Sequence, residues 1–218
     1  MSNENSKLPK RNYKSHPWHG INPHSETPGF LNVFIEMVPS DTIKYELDKD
    51  SGFLKIDRPQ KFSNIMPSLY GFIPQTYSGK ATAKIAIDAS GDTSLVGDED
   101  PVDICVLTEK EVTHGDLLLT ARAIGGFRMI DGGEVDDKII AVLKDDPVYG
   151  EITDINDCPP NVISRLYHYF VTYKDIPGQA AESKCKILGT YGPEVAAEVI
   201  QASKKDYEEI YGPSVRAY

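Results

Sequence analysis

The sequence predicts an α+β fold, mainly β: short strands forming a barrel or sandwich, with two helices laid against it. Two observations carry this. Runs of β-branched and aromatic residues recur along the middle of the chain, cut by Gly, Pro, Asp and Ser clusters. The C-terminal third then switches to stripes of apolar residues at helical spacing.

Val33–Val38, Ile43–Leu47 and Phe53–Ile56 read as a β-meander, with Pro39-Ser40-Asp41 between the first two and a hairpin turn at Asp50-Ser51-Gly52. Further strands are expected at Val102–Thr108, Asp116–Ile124, Phe127–Ile130 and Lys138–Leu143, with breaks at Gly125-Gly126 and Asp131-Gly132-Gly133. The stretch at about 78–96, rich in Ala, Ser, Gly and Thr, reads as an inserted loop or loose hairpin. The first helix is expected from about Asn161 to Lys174, with Val162, Leu166, Tyr169, Phe170 and Tyr173 on one face. The second opens at Pro193, a favoured first helical residue, and is expected to stop at Gly212-Pro213. Residues 1–29 read as a polar N-terminal extension, with His16, His19 and His24 on its surface, and residues 30–218 as a single domain.

The chain has 218 residues, with 23 Lys+Arg against 33 Asp+Glu and a formal net charge of −10. So acidic a surface repels phosphate backbones and anionic lipid, so neither nucleic acid nor a membrane is expected as partner. Cys105, Cys158 and Cys185 are widely spaced and odd in number, which fits neither a disulfide framework nor a zinc knuckle. With no apolar run long enough to span a bilayer and no secretory signal, a cytoplasmic protein is expected.

The chemistry begins at Asp98-Glu99-Asp100-Pro101-Val102-Asp103, a D-x-D-P-x-D pattern running straight into an apolar strand. A single acidic run is ordinarily a solvated loop. Read instead as a calcium loop, Asp88–Glu99 has Thr93 where a sharp turn demands glycine. Read as an aspartyl-phosphate site, Asp98-x-Asp100 lacks the buried strand such a nucleophile follows. A second acidic group, Asp131-Gly-Gly-Glu134-Val-Asp136-Asp137-Lys138, also precedes an apolar strand. Carboxylates gathered in this way repel one another, and hard cations such as Mg²⁺ resolve the conflict with oxygen ligands. Glu36, Lys44, Glu46 and Arg58 lie in or beside strands, where each taken alone could belong to the polar face of a half-exposed sheet. Together, metals held by carboxylates with Lys and Arg beside them make a receptor for a phosphate-like anion.

The segments Ile35–Arg58, Tyr70–Thr76, Gly97–Leu107, Ile130–Val142 and His168–Asp175, with D-x-D-P-x-D followed by D-x₄-D-x-K, resemble the soluble family I inorganic pyrophosphatases. The resemblance implies a five-stranded OB-like barrel flanked by helices and Mg²⁺-dependent hydrolysis of pyrophosphate to two orthophosphates, by direct in-line attack of a metal-activated water. It makes Asp98, Asp103, Asp131, Asp136 and Glu36 the metal ligands and Asp100 the general base. Lys44, Arg58, Tyr70, Lys138, Tyr173 and Lys174 become phosphate contacts, and Glu46 a further site carboxylate. It also implies a homo-oligomer, either hexamer or dimer. Met66 and Leu69 stand where the family commonly has a tyrosine and an asparagine, and methionine offers phosphate no donor. A non-catalytic barrel that binds metal or phosphate is the alternative this departure favours.

Overall fold

The computed structural model describes residues 14–175 and 184–215. Its elements run β1 (Leu31–Met37), β2 (Ile43–Leu47), β3 (Leu54–Pro59), β4 (Leu69–Phe72), α1 (Lys80–Ser90), β5 (Val96–Gly97), β6 (Asp103–Leu107), β7 (Leu117–Asp131), β8 (Glu134–Val135) and β9 (Lys138–Leu143). A 3₁₀ turn (Ile155–Asp157), α2 (Pro160–Thr172), β10 (Cys185–Tyr191) and α3 (Pro193–Val215) complete them.

Strands β1, β4, β6, β9 and β7 are paired in that order, and β7 pairs back to β1, so five strands close into a ring. Only the β6–β9 pair within the ring is parallel. Both faces of these strands are covered, which is why they read as nearly continuous apolar runs. On β6 and β9, Cys105, Leu107, Ile140 and Val142 face the cluster that takes in Leu166, Tyr169 and Phe170 of α2. Their neighbours Ile104, Val106, Ile139 and Ala141 face a second cluster with Ala196, Val199 and Ile200 of α3. The β2–β3 hairpin forms a separate two-stranded sheet.

Several expectations need correction. The two glycines expected to break β7 lie within one 15-residue strand. They permit close packing: a Cβ on Gly125 would stand 2.4 Å from the Tyr191 carbonyl oxygen, and one on Gly126 would stand 2.6 Å from the Tyr191 ring. Strand β4 escaped notice because its four residues are too few to show a period. There, Gly71 lets β1 approach so closely that a Cβ would fall 1.9 Å from the Phe34 carbonyl oxygen.

The stretch expected as a loose loop contains α1, so the barrel has three helices beside it rather than two. Its alanines favour helix, but its N-terminal glycine has no capping side chain of its own. Asp206 of α3 supplies the cap, accepting from the backbone N–H groups of Gly79 at 3.1 Å, Ala81 at 2.9 Å and Thr82 at 2.9 Å, and from the Thr82 hydroxyl at 2.9 Å. Helix α3 itself continues through Gly212-Pro213, since only its last turn is at stake there.

The N-terminal segment is not merely a surface extension from residue 14 onward. Trp18 is buried with Phe34, Leu47, Phe72 and Tyr207, stacks on His19, and donates its indole N–H to the Thr76 carbonyl at 2.8 Å. His19 Nδ1 lies 2.7 Å from the Tyr207 hydroxyl on α3. His16 is half-buried and His24 exposed.

Candidate active site

Parallel pairing of β6 with β9 sets Asp103, the first residue of one, beside Lys138, the first residue of the other. The two acidic segments that enter these strands therefore meet at the same end of the ring. Glu36 comes from β1, and Tyr70 from β4. Lys44 and Glu46 lie two residues apart on β2, hence on one face, and Lys44 pairs across the hairpin with Arg58. Tyr173 and Lys174 follow directly on the end of α2. All thirteen residues singled out in the sequence line one cleft.

Its charges are interlocked. The Lys138 ammonium donates to both Asp103 and Asp136, and the Tyr70 hydroxyl donates to the same Asp103 oxygen, Oδ2. Lys174 pairs with Asp131, and Lys44 lies 3.4 Å from Glu46 Oε2 and 3.2 Å from Asp57 Oδ2. Asp57 also holds Arg58. Glu36 accepts the Leu47 backbone N–H at 2.7 Å, which fixes a buried carboxyl against the hairpin.

Burial, and then the Asp103 charge, push Glu36 up to about 8. Burial, followed by Asp136 and Asp103, raises Asp98 to about 8 as well, and burial raises Asp136 despite Lys138. Burial alone would lower Lys138, but Asp103 and Asp136 outweigh it and hold the ammonium well above its usual range. Burial would likewise raise Asp131, yet its bond from Lys174 keeps it low. The cleft thus holds more carboxylate than its own cations can neutralise.

Its lining counts eight carboxylates against five Lys and Arg side chains, a formal charge of −3. Among the described residues no three Asp, Glu, His or Cys side chains are already gathered tightly enough to ligate one ion. The donor set still fits hard divalent cations, because Glu36, Asp98, Asp103, Asp131 and Asp136 offer only oxygen. Three of these five carboxyls have raised pKa values, and Lys138 already occupies the cation position between Asp103 and Asp136.

A family model described as inorganic pyrophosphatase matches residues 33–208. The chain belongs to the inorganic pyrophosphatase family. It is 50% identical over 199 residues to an inorganic pyrophosphatase of Chlamydia muridarum, covering 90% of this chain and 95% of the relative. It is 38% identical over 204 residues to soluble inorganic pyrophosphatase 5 of Arabidopsis thaliana, covering 94% of this chain and 84% of the relative. Among solved structures, an inorganic pyrophosphatase from Thermus thermophilus superposes with a TM-score of 0.72 at 27% identity, over 88% of this chain and 99% of that one. The ring of five strands is accordingly the OB-like barrel of the pyrophosphatase family.

Further lining residues were given no part in the site by the sequence, among them Trp18, Lys49, Glu134 and Tyr169. Glu134 sits inside the second acidic group and was legible there. Lys49 belongs to a hairpin turn, where a lysine ordinarily points to solvent. Met66 is buried in the cleft wall, where Tyr70, Tyr169 and Tyr173 supply the phenolic side chains. Leu69 is buried in the barrel, paired with Val106.

Proposed function

We propose that this chain hydrolyses inorganic pyrophosphate to two orthophosphates by direct attack of water, with Mg²⁺ as its resident metal. The observation that carries the reading is the convergence of all thirteen sequence-selected residues on one cleft with surplus carboxylate. Asp98, Asp103, Asp131, Asp136 and Glu36 would hold the ions, which when bound neutralise phosphate oxygens and bring the pKa of water toward neutrality. A carboxylate oxygen of Asp100 takes the proton from the attacking water.

Lys44, Arg58, Lys138 and Lys174 bind phosphate oxygens as cations, and Tyr70 and Tyr173 bind them through their hydroxyls. Glu46 holds Lys44 in place from 3.4 Å. Charge growing on the leaving phosphate is met by groups already fixed by their carboxylate partners, so little reorganisation accompanies the step. No covalent intermediate is required.

The test is orthophosphate release from pyrophosphate by purified protein, with millimolar-range Mg²⁺ and with chelator. Absence of Mg²⁺-dependent cleavage would sink the reading. Tight binding of pyrophosphate without cleavage would support the non-catalytic barrel.

The same reading includes a cytoplasmic, homo-oligomeric protein whose catalytic domain, expected over residues 30–218, also takes in the packed segment around Trp18. Its three cysteines are buried and none is in a disulfide, in keeping with a reducing compartment. No helix among the described residues is long and apolar enough to cross a membrane. Phe53, Ile56, Phe62 and Ile65, each at least half exposed, supply apolar surface for self-association. Native mass measurement checks the assembly.

A further inference from the structure

Lys49 stands outside the set of residues to which the proposed reaction gives a role, yet its ammonium pairs with Asp100. It reaches that carboxylate from the β2–β3 turn, a part of the chain that other contacts tie down. His16 Nε2 lies 3.1 Å from the Lys49 carbonyl oxygen. His16 and Pro17 pack so closely on the turn that a Cβ at Gly52 would stand 2.8 Å from His16 Cδ2 and 3.2 Å from Pro17 Cδ. The Lys49 ammonium also lies 6.0 Å from the centre of the Trp18 ring.

The same segment is tied to the loop that carries Asp100. Trp18 donates to the Thr76 carbonyl, and the Thr76 hydroxyl accepts the Val102 N–H at 3.0 Å, two residues beyond Asp100. The Trp18 carbonyl accepts the Gln75 N–H at 2.9 Å. Residues 16–18 therefore brace both sides of the Lys49–Asp100 pair, the turn through His16 and the acidic loop through Trp18.

We propose that Lys49 is a positioning residue for Asp100, and that the N-terminal segment His16–Trp18 sets the distance between them. A carboxylate that takes a proton from water must be held with one oxygen directed at that water. An ammonium on Asp100 Oδ1 restrains the side chain and leaves Oδ2 for the proton. This rests on the assignment of Asp100 as the base, and the experiment separates the two ideas.

Lys49→Met, Lys49→Arg, His16→Ala and Asp100→Asn are compared in the Mg²⁺-loaded enzyme, together with Lys49→Met in the Asp100→Asn background. Lys49→Met should lower kcat at least tenfold while KM stays within about threefold, and Lys49→Arg should recover most of that loss. His16→Ala should lower kcat in the same sense by a smaller factor. In the Asp100→Asn background, Lys49→Met should bring no further loss, because the partner it positions has lost its charge. An unchanged kcat, a rise in KM alone, or an equal loss in both backgrounds overturns the positioning role. Wild-type turnover in Asp100→Asn overturns instead the assignment of the base.

Discussion

Lys138 and Asp103 are the opening residues of two parallel strands, and an ammonium only 2% exposed joins them and adds Asp136 as a second partner. Two acidic segments far apart in sequence are thereby locked by a single buried cation. Lys138→Met would leave two carboxylates facing each other without it. In the metal-free protein we expect a loss of about 3–5 kcal/mol of stability, read by urea unfolding. Added Mg²⁺ should recover part of this, because cations can replace the lost charge between the carboxylates, whereas catalytic turnover should not return.

Asp100→Asn should lower kcat by about 10²–10⁴-fold, the usual range for removal of a positioned base. The substitution keeps the shape of the side chain and spares the proposed ligands. Calorimetric titration with Mg²⁺ should therefore match wild type closely. Loss of metal affinity equal to the loss of rate would make Asp100 a ligand and not a base.

Glu36 and Asp98, both raised to about 8, give the metal-free protein an unusual pH profile. Their folded-state pKa values lie above the unfolded ones, so between about pH 4 and 8 the folded chain binds more protons than the unfolded chain. The stability they contribute is present below the unfolded pKa and is lost as pH rises through the folded pKa. With chelator present, thermal midpoints should fall between pH 5.5 and 8.5 by several degrees. Mg²⁺ favours the ionised carboxylates and should flatten or reverse the slope. A midpoint that rises over this range in chelator would contradict the burial of these two groups.

Asp206→Ala removes the cap of α1, four acceptor contacts supplied by a helix that is remote in sequence. A loss of about 2 kcal/mol is expected, in line with a lost N-cap and the stranding of buried donors. Hydrogen exchange should show faster exchange in residues 80–90, while the barrel strands stay protected. Equal acceleration throughout would mean that α1 does not open independently.

The chemistry of this protein was legible because D-x-D-P-x-D and D-x₄-D-x-K are local patterns. Each lies within a few residues of a strand entrance, and the apolar runs that follow mark the strands themselves. What escaped the sequence depends on partners brought in from a distance. Helix α1 is capped by Asp206, so its own N-terminus carries no signal. Trp18 lies in a polar, proline-rich stretch and is buried only because α3 and the hairpin come to cover it. Lys49 looked like any turn lysine, and its partner is set by the fold. Gly125 and Gly126 looked like a strand break, because the tyrosine packed on them belongs to β10.

The closure of the barrel ring has a consequence for the order of folding. Joining β1 to β7 brings Leu31 to Ala121, and the β6–β9 pair brings Asp103 to Lys138, so loops of about ninety and about thirty-five residues must close before the cleft exists. Helices α2 and α3 can form from neighbours in sequence, while the proposed metal ligands cannot assemble before the last strand is seated. A half-refolded chain with an open ring would therefore be unable to sequester metal, and competence for the ion is acquired only on completion of the barrel.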